Sequence, residues 1–158
     1  MVVQKSWNHA LAVMILGLAV LSATAHAQVP FSGPKNVSNN SDFSFTPQVS
    51  VNSAGNIFIV WEDDTDTNAN ILFSRSTDGG VTFSTPQSVS HTSGFSFNPR
   101  ITVDAHGAIN VVWEDDSPGN LDVFFSRSTD GGTTFSAPID LSADAPDSAN
   151  PQLATDAA

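Results

Sequence analysis

Short, uninterrupted apolar runs separated by turn residues mark the chain from Gln48 to Asp140. Ile57-Phe58-Ile59-Val60-Trp61 and Val123-Phe124-Phe125 carry no polar interruption, and runs this short point to buried strands. The pattern predicts four strands in each of two segments. Strand A spans 48–52 or 100–104, opening after a proline that cannot sit in mid-ladder. Strand B spans 57–62 or 109–114, after a turn containing glycine. An acidic loop leads to strand C at 70–76 or 122–128, and a Thr-Asp-Gly-Gly turn leads to strand D around Phe83 or Phe135. The missing alternation in B and C implies burial on both faces, as when four-stranded antiparallel sheets stack face to face. No amphipathic helix pattern separates the strands, which excludes a parallel α/β sheet.

The two segments are copies. A shift of 52 residues aligns 36–87 with 88–139 without a gap and with 28 identities. Trp61-Glu62-Asp63-Asp64 maps to Trp113-Glu114-Asp115-Asp116, and Phe73–Gly80 maps to Phe125–Gly132. Pro47, Pro99 and Pro151 mark the same point in three copies, and Phe31-Ser32-Gly33-Pro34 matches the later Phe83-Ser84-Thr85-Pro86. The organisation read from these matches is a last strand and loop over 28–46, complete units over 47–90 and 91–142, and the start of a third over 143–158.

Residues 1–27 read as an export signal. Lys5 supplies positive charge, 10–23 is an apolar stretch too short for a comfortable membrane span, and Ala25-His26-Ala27 is an A-x-A cleavage site. A mature chain beginning at Gln28, secreted, periplasmic or at the cell surface, is expected, with no membrane span after cleavage. The 158-residue chain has no cysteine, so neither a disulfide nor a lipoprotein anchor is available to it. Sixteen acidic residues against five basic ones give a formal charge of -11, which excludes nucleic acid and anionic membrane as natural partners.

Ser76-Thr77-Asp78-Gly79-Gly80-Val81-Thr82-Phe83 and Ser128-Thr129-Asp130-Gly131-Gly132-Thr133-Thr134-Phe135 both fit S-x-D-x-G-x-x-F. This resembles the Asp-box, or bacterial neuraminidase repeat, of sialidase-like β-propellers. The resemblance implies an all-β fold of four-stranded antiparallel blades, here two full blades plus flanking strands. It also implies a structural role for Ser76, Asp78, Gly80, Phe83, Ser128, Asp130, Gly132 and Phe135. An Asp carboxylate at such a turn accepts backbone N–H bonds, and glycine supplies positive φ. Closed propellers have 4–8 blades, so the missing blades are expected in cis or by oligomerisation. The break inside the third copy favours a fragment.

In the resembled family the box lies opposite the substrate face. That face would carry the B–C loops, 63–69 and 115–121, and the D–A loops, 90–98 and 142–150. Sialidases of this type imply a Tyr nucleophile paired with Glu, an Asp acid/base and three arginines. This chain has no tyrosine. Arg75 and Arg127 precede the boxes and are expected to pair with nearby acids, leaving Arg100, which replaces Gln48 and Gln152, as the one ligand-binding candidate. No catalytic residue is assigned.

Asp64, Asp66, Asn68 and Asn70 sit at i, i+2, i+4 and i+6, the spacing that begins a calcium loop. Ala69 and Arg75 then stand where glycine and glutamate belong, so a solvated acidic loop is the favoured reading, with calcium as the alternative and no other cofactor. His91 and His106 have no ligand spacing, and Trp61 and Trp113 read as core. The leading function is an exported, non-catalytic module binding a glycan or an extracellular protein. An exo-sialidase with catalytic blades beyond Ala158, and a purely structural array, stay open.

Overall fold

The computed structural model describes residues 33–64, 68–143 and 146–156. The export signal, Gln28, Phe31, Ser32 and Asp66 lie outside them. All the strands belong to one compact unit, Lys35–Ala158. They are β1 (Ser44–Val51), β2 (Ile57–Asp63), β3 (Asn70–Ser76), β4 (Gln87–Ser88), β5 (Ser96–Val103), β6 (Ile109–Asp115), β7 (Asp122–Ser128) and β8 (Ile139–Asp140). They form two four-stranded sheets, ordered β1-β2-β3-β4 and β5-β6-β7-β8, and every pairing is antiparallel. No helix occurs among the described residues.

The central pairs are in full register, from Ile57↔Ser76 to Asp63↔Asn70 and from Ile109↔Ser128 to Asp115↔Asp122. Branched and aromatic side chains suit such a pleated, packed surface. The turn before each second strand is set by one side chain. Asn52 Oδ1 accepts the Ala54 and Asn56 N–H groups at 3.1 and 3.0 Å, and Asp104 Oδ1 accepts those of His106 and Ala108 at 3.0 and 2.9 Å.

Two strand assignments need correction. The first strand of each sheet begins four residues before the predicted start and runs through its proline. Register shifts between Phe45 and Gln48, and between Phe97 and Arg100, mark a bulge, with Thr46 at φ 45° and Asn98 at φ 48°. A bulge leaves a residue out of the ladder, so Pro47 and Pro99 forfeit no hydrogen bond there. The last strand lies at Gln87–Ser88 and Ile139–Asp140, beyond Phe83 and Phe135. At Ser84 and Ser136 a single backbone bond reaches Arg75 and Arg127, and the hydroxyls bond to the facing strand. Pro86 and Pro138, lacking N–H, then delay the ladder.

β5 packs against β1, β2 and β3, so the sheets stack through one shared core. Phe58, Val60, Ile71, Phe73, Val89, Ile101, Ile109, Val111 and Trp113 fill it. Burial on both faces holds for β6, in which all seven residues are buried, because the first sheet covers one side and the third-copy segment lies on the other. In β2, β3 and β7 buried residues largely alternate with more exposed ones instead, so burial on both faces does not hold for them.

The turn after β7 seats on the first sheet. Arg75 Nη1 donates to the Gly131 carbonyl, Gln87 Nε2 donates to the Gly132 carbonyl at 2.6 Å, and Phe135 packs edge-on to Phe73 with centroids 5.0 Å apart. Arg75 therefore does not pair with an acid as expected. The second-copy acid Asp104, which binds Arg127 at 2.9 Å, is replaced by Asn52, and Arg75 reaches the neighbouring turn.

Candidate functional site

Antiparallel connectivity puts the β2–β3 and β4–β5 loops at one end of the sheets, and the β1–β2 and β3–β4 turns at the other. The loop end is built on a buried carboxylate that recurs in both copies. Trp61 Nε1–H donates to Asp63 Oδ2 at 2.9 Å, and Asp63 also accepts from Ser44 Oγ at 2.9 Å and from Asn40 Nδ2. In the second copy Asp115 Oδ2 accepts from Trp113 Nε1 at 3.0 Å and from Thr92 and Ser96 Oγ at 2.7 Å each. Its Oδ1 accepts the Ser117 N–H at 3.0 Å. Burial pushes the Asp115 carboxyl up, but the Ser117, Thr92 and Ser96 donors outweigh it and hold the group below the usual carboxylate range.

Backbone bonds then tie each loop to its neighbours. Ser96 N donates to the Ala69 carbonyl at 2.9 Å and Ser148 N to the Leu121 carbonyl at 2.6 Å, so each inner loop is anchored to the preceding sheet. Asp116 N donates to the Phe95 carbonyl, and the Asp116 Oδ1 accepts the Phe95 N–H at 2.6 Å. Gly94 is required at this approach, since a Cβ there would lie 2.4 Å from both Asp116 Oδ1 and the Ser117 nitrogen. Glu62 is also at this end. Burial pushes its carboxyl above the ordinary range, partly offset by a bond from the Asn98 backbone, and Asp64 and Glu114 add repulsion. The described part of the loop end is thus a cross-bonded, acidic surface.

At the opposite end the two Asp turns have nearly the same geometry. Asp78 Oδ1 accepts Ser76 Oγ at 2.7 Å and the Thr82 N–H at 2.9 Å, while Ser76 Oγ accepts the Gly80 N–H at 2.8 Å. Asp130 Oδ1 accepts Ser128 Oγ at 2.8 Å and the Thr133 and Thr134 N–H groups at 2.9 Å, and Ser128 Oγ accepts the Gly132 N–H at 2.8 Å. The bonds from Thr82 and Thr134 hold both carboxyls well below the usual range. Phe83 and Phe135 are half-buried. These contacts are all made within the turn itself.

Neither a family model nor a curated protein matches the chain. Among solved structures, a Hadza microbial sialidase is similar at TM-score 0.54 and 19% identity, over 62% of this chain and 26% of its own. An α-L-arabinofuranosidase from Podospora anserina, solved with cellotriose, is similar at TM-score 0.47 and 18% identity, over 73% of this chain and 36% of its own. The chain has a β-propeller fold. It spans about a quarter of the length of that sialidase, and each four-stranded sheet is one blade.

The remaining candidates are scattered across the blades. Arg100 is half-buried on the inner strand of the second blade, opposite Val112, and its Nη1 donates to the Pro99 carbonyl at 2.9 Å. Asp64 is exposed, its N–H donating to the Phe43 carbonyl. Asn68 Nδ2 donates to the Gly94 carbonyl at 2.7 Å and Asn70 Nδ2 to the Asn68 carbonyl at 3.1 Å. Both amides are engaged by backbone carbonyls. Among the described residues no cluster of three or more His, Cys, Asp or Glu side chains is placed to hold a metal ion.

Sequence reasoning missed two features of the loop end. Asp63 and Asp115 read as the start of a solvated loop and are in fact its buried anchor, which the Trp-x-Asp spacing on one strand face signals. It also missed the aromatic pairs Phe43–Phe45 and Phe95–Phe97, whose rings stack with centroids 6.0 and 6.2 Å apart. Their signal is the repeated Phe-Ser-Phe, an aromatic recurrence inside a polar loop.

Proposed function

We propose that this chain is part of an exported, non-catalytic β-propeller that binds a glycan at its loop end. The observation that carries the reading is the loop end itself. Both kinds of loop, from both blades, converge there and are braced by one repeated set of bonds, whereas the Asp turns spend their polar groups on themselves. Loops on a rigid sheet scaffold are where binding sites concentrate.

The flanks support a ring continued by further blades. Val49 is 64% exposed while its second-copy equivalent Ile101 is 8% exposed, and Leu141 is 59% exposed while its first-copy equivalent Val89 is fully buried. Open clefts of about 280 and 440 Å³ flank the pair, one against Ile59 and Trp61, the other against Asn110 and Phe125. They are inter-blade spaces that lack part of a neighbour. Under this reading residues 1–27 are the cleaved signal, and 33–38 and 151–156 belong to partial blades.

The alternative is an exo-sialidase whose catalytic groups lie on other blades. An acidic loop end with Arg100 as its sole unassigned arginine is poorly suited to a sialoside carboxylate. A glycan array probed with the purified chain tests the proposal. Glycan retention that survives Asp78→Ala and is lost in a loop-end variant is expected. No retention of any glycan would overturn it.

A further inference from the structure

The loop end carries two stacked aromatic pairs, of which Phe45 also lines the open flank of the first blade. Phe43 is 72%, Phe45 44% and Phe95 45% exposed, and the paired rings are nearly parallel, at 16° and 7°. Isolated exposed apolar residues are ordinary, but a repeated, ordered pair is not.

The absence of a neighbouring blade does not account for Phe95. Its loop is braced on one side by the Asn68 amide on the Gly94 carbonyl and the Ser96 N–H on the Ala69 carbonyl. On the other side it is braced by its two bonds to Asp116. The fold does not need the rings either. The third copy has Asp147-Ser148-Ala149 in place of Phe95-Ser96-Phe97, yet Ser148 makes the same backbone bond to the preceding blade.

We infer that Phe43–Phe45 and Phe95–Phe97 are two stacking platforms for pyranose rings of a neutral oligosaccharide. The inference rests on the glycan-binding reading above and names its ligand class and subsites. A stacked pair offers the flat outer face of its more exposed ring rather than the angled walls that enclose a quaternary ammonium. A flat aromatic face matches the C–H face of a pyranose, which buries apolar area while its hydroxyls stay at the rim. Asp116 Oδ1 accepts the Phe95 N–H, which puts a carboxylate acceptor for sugar hydroxyls beside that platform, and the equivalent Asp64 is bonded through its backbone to Phe43. The acidic loop end and a chain charge of -11 disfavour any anionic sugar. Two platforms at equivalent points of a repeat suit a ligand that is itself a repeat.

The test is isothermal titration of the full purified chain with cellohexaose, maltohexaose and mannohexaose. 3′-Sialyllactose and phosphatidylcholine vesicles are run alongside, with thermal melts of every variant. At least one neutral hexasaccharide is expected to bind, about tenfold more weakly to Phe95→Ala and to Phe43→Ala, with melting temperatures unchanged. Phe95→Trp is expected to bind it more tightly, through a larger ring face. Binding of a glycan that neither alanine variant weakens would overturn the platforms and leave the glycan-binding reading standing. Binding of the vesicles alone, or of no glycan at all, would overturn both.

Discussion

The backbone N–H of Asn150 donates to Oε1 of Glu114 at 2.6 Å, joining the start of the third copy to the second blade. One repeat earlier the backbone of Asn98 binds Glu62 in the first blade. The donor in each case is the positive-φ residue just before a proline, Asn98 at 48° within the β5 bulge and Asn150 at 58° ahead of Pro151. The bulge turns its N–H out of its own ladder, and the glutamate of the Trp-Glu-Asp strand captures it. Neighbouring blades are therefore latched by a backbone irregularity and by the glutamate one residue before the end of β2 or β6.

Glu114 is 4% exposed and also accepts from Asn98 Nδ2 at 3.0 Å. Glu114→Ala is expected to destabilise the chain by about 1–3 kcal/mol, because two part-buried donors lose their shared acceptor. Urea denaturation measures it. A change indistinguishable from zero would mean that the latch carries no stability.

Gly132 and Gly79 both hold positive φ, at 83° and 71°, but a Cβ on Gly132 would stand 2.5 Å from Phe73 Cζ while one on Gly79 meets nothing within 4 Å. Alanine at either site carries backbone strain of about 1–2 kcal/mol. Gly132→Ala adds overpacking of about 1–3 kcal/mol, and is expected to be the more damaging of the two in a thermal melt. Equal losses would show that the turn does not seat on Phe73 in solution.

Acid should destabilise the fold through the Asp turns. Folded Asp78 and Asp130 titrate below the ordinary Asp value of 3.8, so near and below that value the unfolded chain binds more protons than the folded one. Their contribution is present above the ordinary value and lost as pH falls through the depressed range; Asp104 and Asp115 act in the same direction. Glu62, raised by burial, acts in the opposite direction. Melting temperature should fall from pH 6 to pH 3, and less steeply in an Asp78→Asn, Asp130→Asn double variant. An unchanged slope would contradict the assignment.

The chain alone is not expected to hydrolyse a fluorogenic sialoside. Without tyrosine, a substituted carboxylate nucleophile would face the substrate's own carboxylate at close range, where Coulomb repulsion is least screened. Turnover above buffer that disappears in Arg100→Ala would show otherwise.

Much of this molecule is local. Strands β3 and β7 coincide with the predicted bounds because the uninterrupted apolar runs Ile71-Leu72-Phe73 and Val123-Phe124-Phe125 specify a strand without outside help. The Asp turns follow from Ser76-x-Asp78-x-Gly80 alone, since every partner lies within six residues. The tertiary structure decided what depends on neighbours. Val49 and Ile101 are chemically alike, and only the presence of a sheet against the second makes one exposed and the other core. Arg75 and Arg127 stand in identical motifs, yet one clasps the next turn and the other an aspartate, because Asn52 and Asp104 differ elsewhere in the chain. The carboxylates of Asp63 and Asp115 read as solvated until the indole one strand-step away and the loop hydroxyls are brought over them. Burial and partner choice are properties of stacking, and stacking is not written in any one repeat.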